Sequence, residues 1–431
     1  MSPFIPPQRT IRFIAGSFFG ALMIPFGAIS NPAHPVKPEQ ALLEINPVVV
    51  DSQAHGYATF QSHNQKVLAN SKGVFMTHLR TRNPSYTAQQ WRLSFSDDNG
   101  QHFSTLYEET NATNPPVIES DSEGNLYLIR ADFVDGNAFL YRFLASESYR
   151  HPTQTLIPNG AAGKYAMAID EERNRIYFFA HNNTFHILGF DGTVQRSVHL
   201  LKPGDQAILQ YPLLFPSPTG ELYAAWTTQK HDVYLYWDIH RIQSADGGLT
   251  WNTPLGNALH PPLPADDPGI GTWVIKDDEY QVHTWLSSFA VTQNKVHYLY
   301  LAQTRPPRQH YVRYDQVSGR EDINLSPRLG DGPEEVRGLD GFFSVNRMPK
   351  SKSLYITGRD PEGHLVCLRS ADEGLTWHGH AKSPKNYQAY SIGGYRFTTQ
   401  DNDIIGSFTD QRGDNASNDT KSRVLFFRFP G

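Results

Sequence analysis

The chain has 431 residues, of which 39% are hydrophobic and 12% aromatic, with a formal net charge of −5 at neutral pH. That charge excludes a polycationic protein that grips nucleic acid mainly by its phosphates, although it is compatible with a local basic patch. The single cysteine, Cys367, excludes an intramolecular disulfide and a metal site built of thiolates.

The N-terminal segment has the pattern of a signal peptide. Arg9 and Arg12 precede an apolar run over residues 13–29, and the small residues Ala28 and Ser30 stand at its end. A basic flank followed by a short apolar stretch predicts a signal peptide over residues 1–30 and a secreted or periplasmic protein. An uncleaved N-terminal anchor is the alternative. No later apolar stretch is long enough to cross a bilayer, so we expect no membrane association after cleavage.

Paired short strands repeat along the rest of the chain. The first strand of each pair, which we interpret as the inner strand of a blade, is predicted at 65–69, 116–119, 165–169, 211–215, 284–291, 342–346 and 390–395. The second strands are predicted at 74–79, 126–130, 176–180, 222–226, 296–301, 354–357 and 404–408. Gly-rich and Asp-rich turns separate the members of a pair. This repetition predicts an all-β chain with a single β-propeller over residues 31–431, and seven blades fit the spacing better than six.

One turn motif occurs three times with the pattern Ser-x-Asp-x-Gly-x-x-aromatic. Its copies begin at Ser96, Ser244 and Ser370. The Asp carboxylate can accept backbone N–H bonds across the turn, the Gly supplies a positive φ, and the aromatic ring packs on the blade. The motif resembles the Asp-box of sialidases, also called the bacterial neuraminidase repeat. In that family it has a structural meaning, so it predicts strand positions and no reaction.

The longest interruption of the strand pattern covers residues 253–281 and is rich in Pro, Gly and Asp. We interpret it as a loop insertion over one face of the propeller.

In a propeller, the start of each inner strand and the end of each second strand meet around the axis on one face. Basic residues outnumber acidic ones at these positions, which predicts a pocket that attracts anions. An anionic glycan is therefore the expected partner, and nucleic acid is not. Ion pairs between blades are the alternative role for the arginines. The candidate substrate-binding residues are Asn64, Arg82, Asn114, Lys164, His181, Lys230, His231, His283, Arg308 and Arg359.

His63 and Asn64 open the first inner strand. This pair resembles the start of an inner strand in the propeller polysaccharide lyases, namely the ulvan lyases and rhamnosyl-glucuronate lyases. His78 is similar to their second His, Arg130 to the Arg that holds the uronate carboxylate, and Tyr211-Pro212 to their Tyr-Pro segment. The resemblance thus implies catalytic roles for His63, His78, Arg130 and Tyr211. One departure is Asn114, 16 residues before Arg130, where those families tend to place a Tyr.

The implied chemistry is β-elimination. An Arg neutralises the uronate carboxylate, a neutral His removes the C5 proton, and a general acid assists departure of O4. This reaction requires no cofactor, and no spaced cluster of metal ligands stands out. The sequence does not decide whether the protein holds a structural calcium ion. We expect a monomer.

Two other functions stay open. A glycoside hydrolase, sialidase-like or rhamnosidase-like, needs two facing carboxylates, and few acids lie at the converging positions beyond Asp340 and Asp410. The Arg-Ile-Pro start of a sialidase is absent. A non-catalytic glycan-binding propeller is the third possibility, and the missing Tyr at Asn114 favours it.

Overall fold

Short strands joined by tight turns account for almost all regular structure in the computed structural model. It describes residues 41–82, 89–132, 136–160, 163–217, 219–275, 283–293, 295–302, 308–315, 319–323, 325, 341–348, 351–412 and 420–431. Residues 42–431 form one compact unit. The predicted signal peptide lies outside the described residues and stays a prediction. Within the described residues, the one helical element is a short 3-10 helix, Ala145–Glu147.

Seven antiparallel sheets, blades 1 to 7, follow one another along the chain. Their inner strands are Val67–Asn70, Val117–Ser120, Ala166–Asp170, Ala207–Pro216, Thr284–Val291, Phe342–Val345 and Ala389–Gly394. The second strands are Gly73–Arg82, Leu126–Ala131, Arg175–Phe179, Leu222–Lys230, Lys295–Ala302, Leu354–Arg359 and Asp403–Asp410. The third strands are Gln89–Ser96, Ala138–Phe143, Thr184–Gly189, Tyr236–Ser244, Arg308–Asp315, His364–Ser370 and Ser422–Pro430. The fourth strands are Ser104–Ala112, Thr153–Ile157, Val194–His199, Trp251–Asn252, Gly319–Ile323, His378–Asn386 and Val48–Ala54.

The last fourth strand comes from the beginning of the chain. Val48–Ala54 pairs antiparallel with Ser422–Pro430, so blade 7 is completed by residues that precede blade 1. This pairing closes the ring and covers a sheet edge that would otherwise be open. The all-β fold class and the seven-bladed propeller are thus confirmed.

Hydrophobic residues from neighbouring blades pack face to face. One cluster joins blades 4, 5 and 6 and includes Phe289, Tyr298 and Trp377. A second joins blades 7, 1 and 2 and includes Trp91 and Tyr141. The core therefore lies between the blades, and it leaves the two mouths of the axis to polar side chains.

Three turns of the same geometry connect the third and fourth strands of blades 1, 4 and 6. In the blade 4 turn, Asp246 Oδ1 accepts from Ser244 Oγ at 2.8 Å and from the backbone nitrogens of Leu249 and Thr250 at 3.0 and 2.9 Å. Gly248 has φ +84°, which a side chain rarely adopts. The hydrogen bonds expected from the sequence pattern are therefore present.

The segment 253–281 differs from the loop that the sequence predicts. Its described part, up to residue 275, contains three short strands, Ala258–Leu259, Leu263–Pro264 and Trp273–Ile275. Leu263–Pro264 pairs with Leu201–Lys202, and Trp273–Ile275 pairs with the third strand of blade 4. Backbone pairing along existing strands satisfies polar groups that an irregular loop would leave to water. Leu43–Glu44 is another short strand outside the four-stranded blades, and it pairs in parallel with the fourth strand of blade 6.

Candidate functional site

The inner strands share one direction, so the axis has two distinct mouths. We call the end where inner strands begin the start mouth, and the end where they turn into second strands the turn mouth. Of the predicted site residues, His63, Lys164 and Tyr211 lie together at the start mouth.

The loop 55–66 leads from blade 7 to blade 1 and carries His63. Thr59 fixes it, because its backbone nitrogen donates to Thr409 Oγ1 at 3.0 Å and its hydroxyl lies 2.8 Å from the same atom. Lys66 is buried and donates to the carbonyl oxygens of Gln61 and Asn64. The loop that carries His63 is therefore held in place by hydrogen bonds.

The imidazole of His63 has a distinctive environment. Its ring packs edge-on against Tyr211, with centroids 5.2 Å apart. Both ring nitrogens are shielded from water, and neither has a hydrogen-bond partner among the described residues. Burial holds the pKa of His63 well below its ordinary value, and the charges of Lys66 and Lys164 lower it further. His63 is therefore neutral at physiological pH.

Lys164 is, with Lys66, one of the two cations whose charges lower the pKa of His63. Its ammonium lies 5.2 Å from the centroid of the Tyr211 ring. Burial lowers the pKa of Lys164 to about 8, so it is largely protonated at neutral pH. The described residues offer it no carboxylate partner. Lys164 can therefore accept an external anion without breaking an internal ion pair.

Amide side chains hold the segment that leads to Lys164. Asn114 donates to the carbonyl of Gly163 at 2.8 Å, and Gln61 donates to the same oxygen at 3.4 Å. Asn64 donates in turn to Gln61 Oε1 at 3.1 Å. His181 lies so close to Gly163 that an added Cβ would stand 2.6 Å from its Nδ1. Asn64, Asn114 and His181 therefore position the neighbours of Lys164.

Tyr211 is aimed by a distortion of the inner strand of blade 4. The strand register shifts between Gln210 and Leu213, and Tyr211 itself has φ +44°. A non-glycine residue in the left-handed region at a bulge is strained, and such bulges re-aim a side chain. Burial raises the pKa of Tyr211, so its phenol is neutral and can donate a proton.

Aromatic rings continue from Tyr211 to the outer rim. Tyr236, Tyr234 and Trp285 were not among the predicted site residues, although the alternation Tyr234-Leu-Tyr236 carried a signal of a shared face. The ring of Tyr236 lies 5.2 Å from those of Tyr211, His283 and Trp285. His283 Nδ1 accepts from the backbone nitrogen of Tyr236 at 3.1 Å. In this row of rings Tyr236 and Trp285 are buried, whereas Tyr234 is 64% exposed and offers a face on which a sugar ring can stack.

Lys230 and His231 lie beside this row of aromatic rings. The Lys230 ammonium lies 4.3 Å from the Trp237 ring centroid. His231 is exposed, and its Nε2 donates to the Gly204 carbonyl at 2.8 Å. Arg359 ends the second strand of blade 6 and is partly exposed. The side chains of Arg82 and Arg308 lie outside the described part of the chain.

His78 and Arg130 lie between blades and do not contact His63. His78 Nε2 is 3.3 Å from Asp51 Oδ2, and both side chains are buried. Arg130 pairs with Asp132 at 3.1 Å and donates to Tyr141 Oη at 2.9 Å. Side chains alternate along a second strand, so one residue of register decides between the axis and a blade interface. In both strands the residue faces the neighbouring blade.

A cavity of about 360 Å³ lies at the turn mouth, which sequence reasoning did not single out. Its lining includes Glu119, Asp170, Glu221, Arg347 and Arg396. The guanidinium of Arg396 lies 2.6 Å from Glu119 Oε1 and donates to the Met167 carbonyl at 3.1 Å, so it spans the axis between blades. The acidic residues in the turns between inner and second strands are the sequence feature that could have indicated this cavity. The turn mouth is acidic where the start mouth is cationic.

No group of three or more His, Cys, Asp or Glu side chains suited to a metal ion occurs in the described residues. The described part of the chain also contains no helix long and apolar enough to span a membrane.

Solved structures share this architecture. The chain is similar to an ulvan lyase of polysaccharide lyase family PL25 bound to -[GlcA(1-4)Rha3S]-, with a TM-score of 0.64 and 12% identity over 88% of this chain and 95% of that one. The polysaccharide lyase Uly1 gives a TM-score of 0.54 and 11% identity over 90% and 99% of the two chains.

A sialidase of Trypanosoma rangeli gives a TM-score of 0.45 and 9% identity over 90% of this chain and 59% of that one. No protein-family model matches the sequence, and no curated protein sequence matches it either. In fold, the protein is a seven-bladed propeller that resembles the polysaccharide lyases.

Proposed function

We propose that this protein is a polysaccharide lyase that cleaves a uronate-containing glycan by β-elimination at the start mouth. The observation that carries the proposal is the state of His63, a neutral imidazole with no hydrogen-bond partner among the described residues, whose ring packs against the same Tyr211 ring that Lys164 contacts. A base, a cation and an acid are the three groups that this reaction needs.

Each group has one task in the reaction. The Lys164 ammonium pairs with the uronate carboxylate and stabilises the negative charge that develops when C5 loses its proton. His63 accepts that proton, the C4–O4 bond breaks, and Tyr211 donates its phenolic proton to the departing O4. The electron pair of the C5–H bond becomes the new C4–C5 double bond. The products are an unsaturated uronate and a free hydroxyl end.

Substrate binding adjusts the base. A bound carboxylate offsets the charge of Lys164, which removes one of the causes that lower the pKa of His63. The imidazole therefore becomes a stronger base once the substrate is in place. Because its nitrogens are shielded, His63 must rotate or a neighbouring side chain must move, and rotamer changes of this size are common on binding.

Lys164 takes the role that the resemblance gave to Arg130, because the guanidinium of Arg130 is already engaged by Asp132 and Tyr141. The uronate-containing oligosaccharide named for the ulvan lyase supports the same class of substrate. Secretion through a signal peptide over residues 1–30, with residues 31–431 as a monomeric propeller, completes the proposal.

A non-catalytic glycan-binding propeller is the second candidate. The observation that favours it is that His78 and Arg130 are both engaged by carboxylates of the protein, His78 by Asp51 and Arg130 by Asp132. Such a protein would hold the same anionic glycan without breaking it.

The two candidates are separated by incubation with uronate-containing polysaccharides while the ultraviolet absorbance of the C4–C5 double bond is followed. We expect absorbance to rise with the natural protein and to be lost, by about 1,000-fold or more in rate, with His63→Ala. His102→Ala is the matched control, since His102 is an exposed residue of the blade 1 turn. Binding without absorbance identifies the second candidate, and unchanged turnover by His63→Ala removes His63 from the mechanism.

A further inference from the structure

Three phenols form a continuous line from the buried site to the surface. The hydroxyl oxygens of Tyr211 and Tyr236 are 3.4 Å apart, and those of Tyr236 and Tyr234 are 2.8 Å apart. Tyr211 and Tyr236 are 6% and 1% exposed, whereas Tyr234 is 64% exposed. The line therefore begins beside His63 and ends in solvent.

The surroundings of Tyr236 leave little room for another proton route. The ring of Tyr236 is enclosed by Tyr211, His283 and Trp285, and the cluster is closed by Leu301. The backbone bond to His283 fixes its position on the strand. The packed rings leave the Tyr236 phenol only 1% exposed, and the hydroxyl groups of Tyr236 and Tyr234 offer a hydrogen-bonded path to Tyr211 from this side.

We propose that Tyr211, Tyr236 and Tyr234 form a proton relay that returns a proton from solvent to the catalytic acid after each elimination. The relay rests on the proposed function and deepens it, because it assigns Tyr236 and Tyr234 as positioning residues that act through Tyr211.

The proton balance is complete. Tyr211 gives its proton to O4 and is left as a phenolate, Tyr236 donates to that phenolate, Tyr234 donates to Tyr236, and water donates to Tyr234. The proton taken by His63 leaves to solvent after product release. The site thus returns to its starting state without an added reactant.

The longer of the two distances is compatible with this role. An ordinary O–H···O bond is about 2.7–2.8 Å long, and catalytic hydrogen bonds are often longer before substrate is bound. When Tyr211 loses its proton, the negative charge attracts the Tyr236 hydroxyl and strengthens the bond. Tyr236 therefore also stabilises the phenolate that forms during the reaction.

The test uses Tyr236→Phe and Tyr234→Phe in the full chain with a uronate-containing polysaccharide. Each change removes one hydroxyl and keeps the ring. We expect kcat to fall about tenfold or more in both variants with KM nearly unchanged. We also expect a proton inventory in mixed light and heavy water that is curved for the natural protein and linear for the variants.

Tyr223→Phe is the matched control, since Tyr223 is a buried tyrosine of the same blade whose hydroxyl donates to Glu221 at 2.9 Å, away from the relay. A raised KM with unchanged kcat in Tyr234→Phe, or unchanged proton inventories, would overturn the relay and leave the rings as a sugar platform. If Tyr236→Phe does not fold, the exposed Tyr234→Phe decides alone. If the natural protein forms no unsaturated product while it binds the glycan, the proposed function itself fails, which is a separate result.

Discussion

A shielded histidine whose two nitrogens lack partners is unusual, because a buried polar group without a hydrogen bond costs about 1–3 kcal/mol. His63 has this property among the described residues, although the surrounding loop is otherwise well hydrogen-bonded. Polar groups left unsatisfied in a native fold are often kept for binding or catalysis. The mechanism therefore depends on the ring nitrogens of His63, which make no hydrogen bond to the described residues.

The pH dependence of the reaction follows from Lys164. Burial lowers its pKa to about 8, so the ammonium is present below that pH and is lost as pH rises through it. We expect kcat/KM, which reports the free enzyme, to decline above about pH 8. Lys164→Arg keeps the charge at all accessible pH values, so this decline is expected to move to higher pH.

Lys164→Met removes the charge, and we expect kcat/KM to fall about 100-fold at neutral pH, as for loss of one electrostatic stabiliser. Lys72→Met is the control, since Lys72 is exposed on a turn of blade 1 at the turn mouth. If kcat/KM of Lys164→Arg still declines above about pH 8, the decline is due to the titration of another group.

At the scale of strands, most positions were predictable from the sequence. Inner and second strands are short, apolar and bounded by turns with Gly or Asp, and these are local signals. The predicted inner strand at 342–346 corresponds to Phe342–Val345, and the second strand at 74–79 lies within Gly73–Arg82. Local patterns therefore gave the blades because each blade is built from neighbouring segments.

The direction of individual side chains was less predictable. Whether a residue on a second strand faces the axis or the next blade depends on a register of one residue, and bulges shift it. Tyr211 reaches His63 only because the strand bulges there, and Tyr236 becomes part of the site because the blade 4 strands extend beyond the mouth. Neither feature has a local sequence signature that identifies it.

A substitution of Arg130 can show whether this residue stabilises the fold or acts on the substrate. Its side chain is 5% exposed and its partner Asp132 is 7% exposed. Removing one member of a buried pair costs about 3–5 kcal/mol. We therefore expect Arg130→Met to lower the free energy of unfolding by that amount, measured by denaturant titration, while the folded fraction retains its kcat.

Arg320→Met is the comparison, because Arg320 and Asp322 form an exposed pair for which about 1 kcal/mol or less is expected. Loss of kcat in a stably folded Arg130→Met protein would instead assign Arg130 to the substrate.

At the scale of the whole molecule, the ring is closed by one strand and one carboxylate. Asp51 lies on the closing strand Val48–Ala54 and contacts His78, Arg80 and Arg92 of blade 1. These contacts hold the pKa of Asp51 below its ordinary value despite its burial. His78 therefore helps to join the last blade to the first.

Truncation tests this closure. A chain of residues 42–431 retains every described strand and is expected to unfold in one cooperative transition. A chain of residues 55–431 lacks the closing strand and leaves Ser422–Pro430 as an open edge, so we expect a lower midpoint of thermal unfolding and a tendency to aggregate. Equal midpoints in calorimetry would mean that the closing strand contributes little.

We expect a uronate to bind at the start mouth and not in the acidic cavity at the turn mouth. The most direct measurement is a crystal structure of the His63→Ala protein with a uronate oligosaccharide bound. We expect the carboxylate within ion-pair distance of Lys164 and the glycosidic oxygen within hydrogen-bond distance of Tyr211. An oligosaccharide in the cavity beside Glu119 and Arg347, with the start mouth empty, would contradict the account.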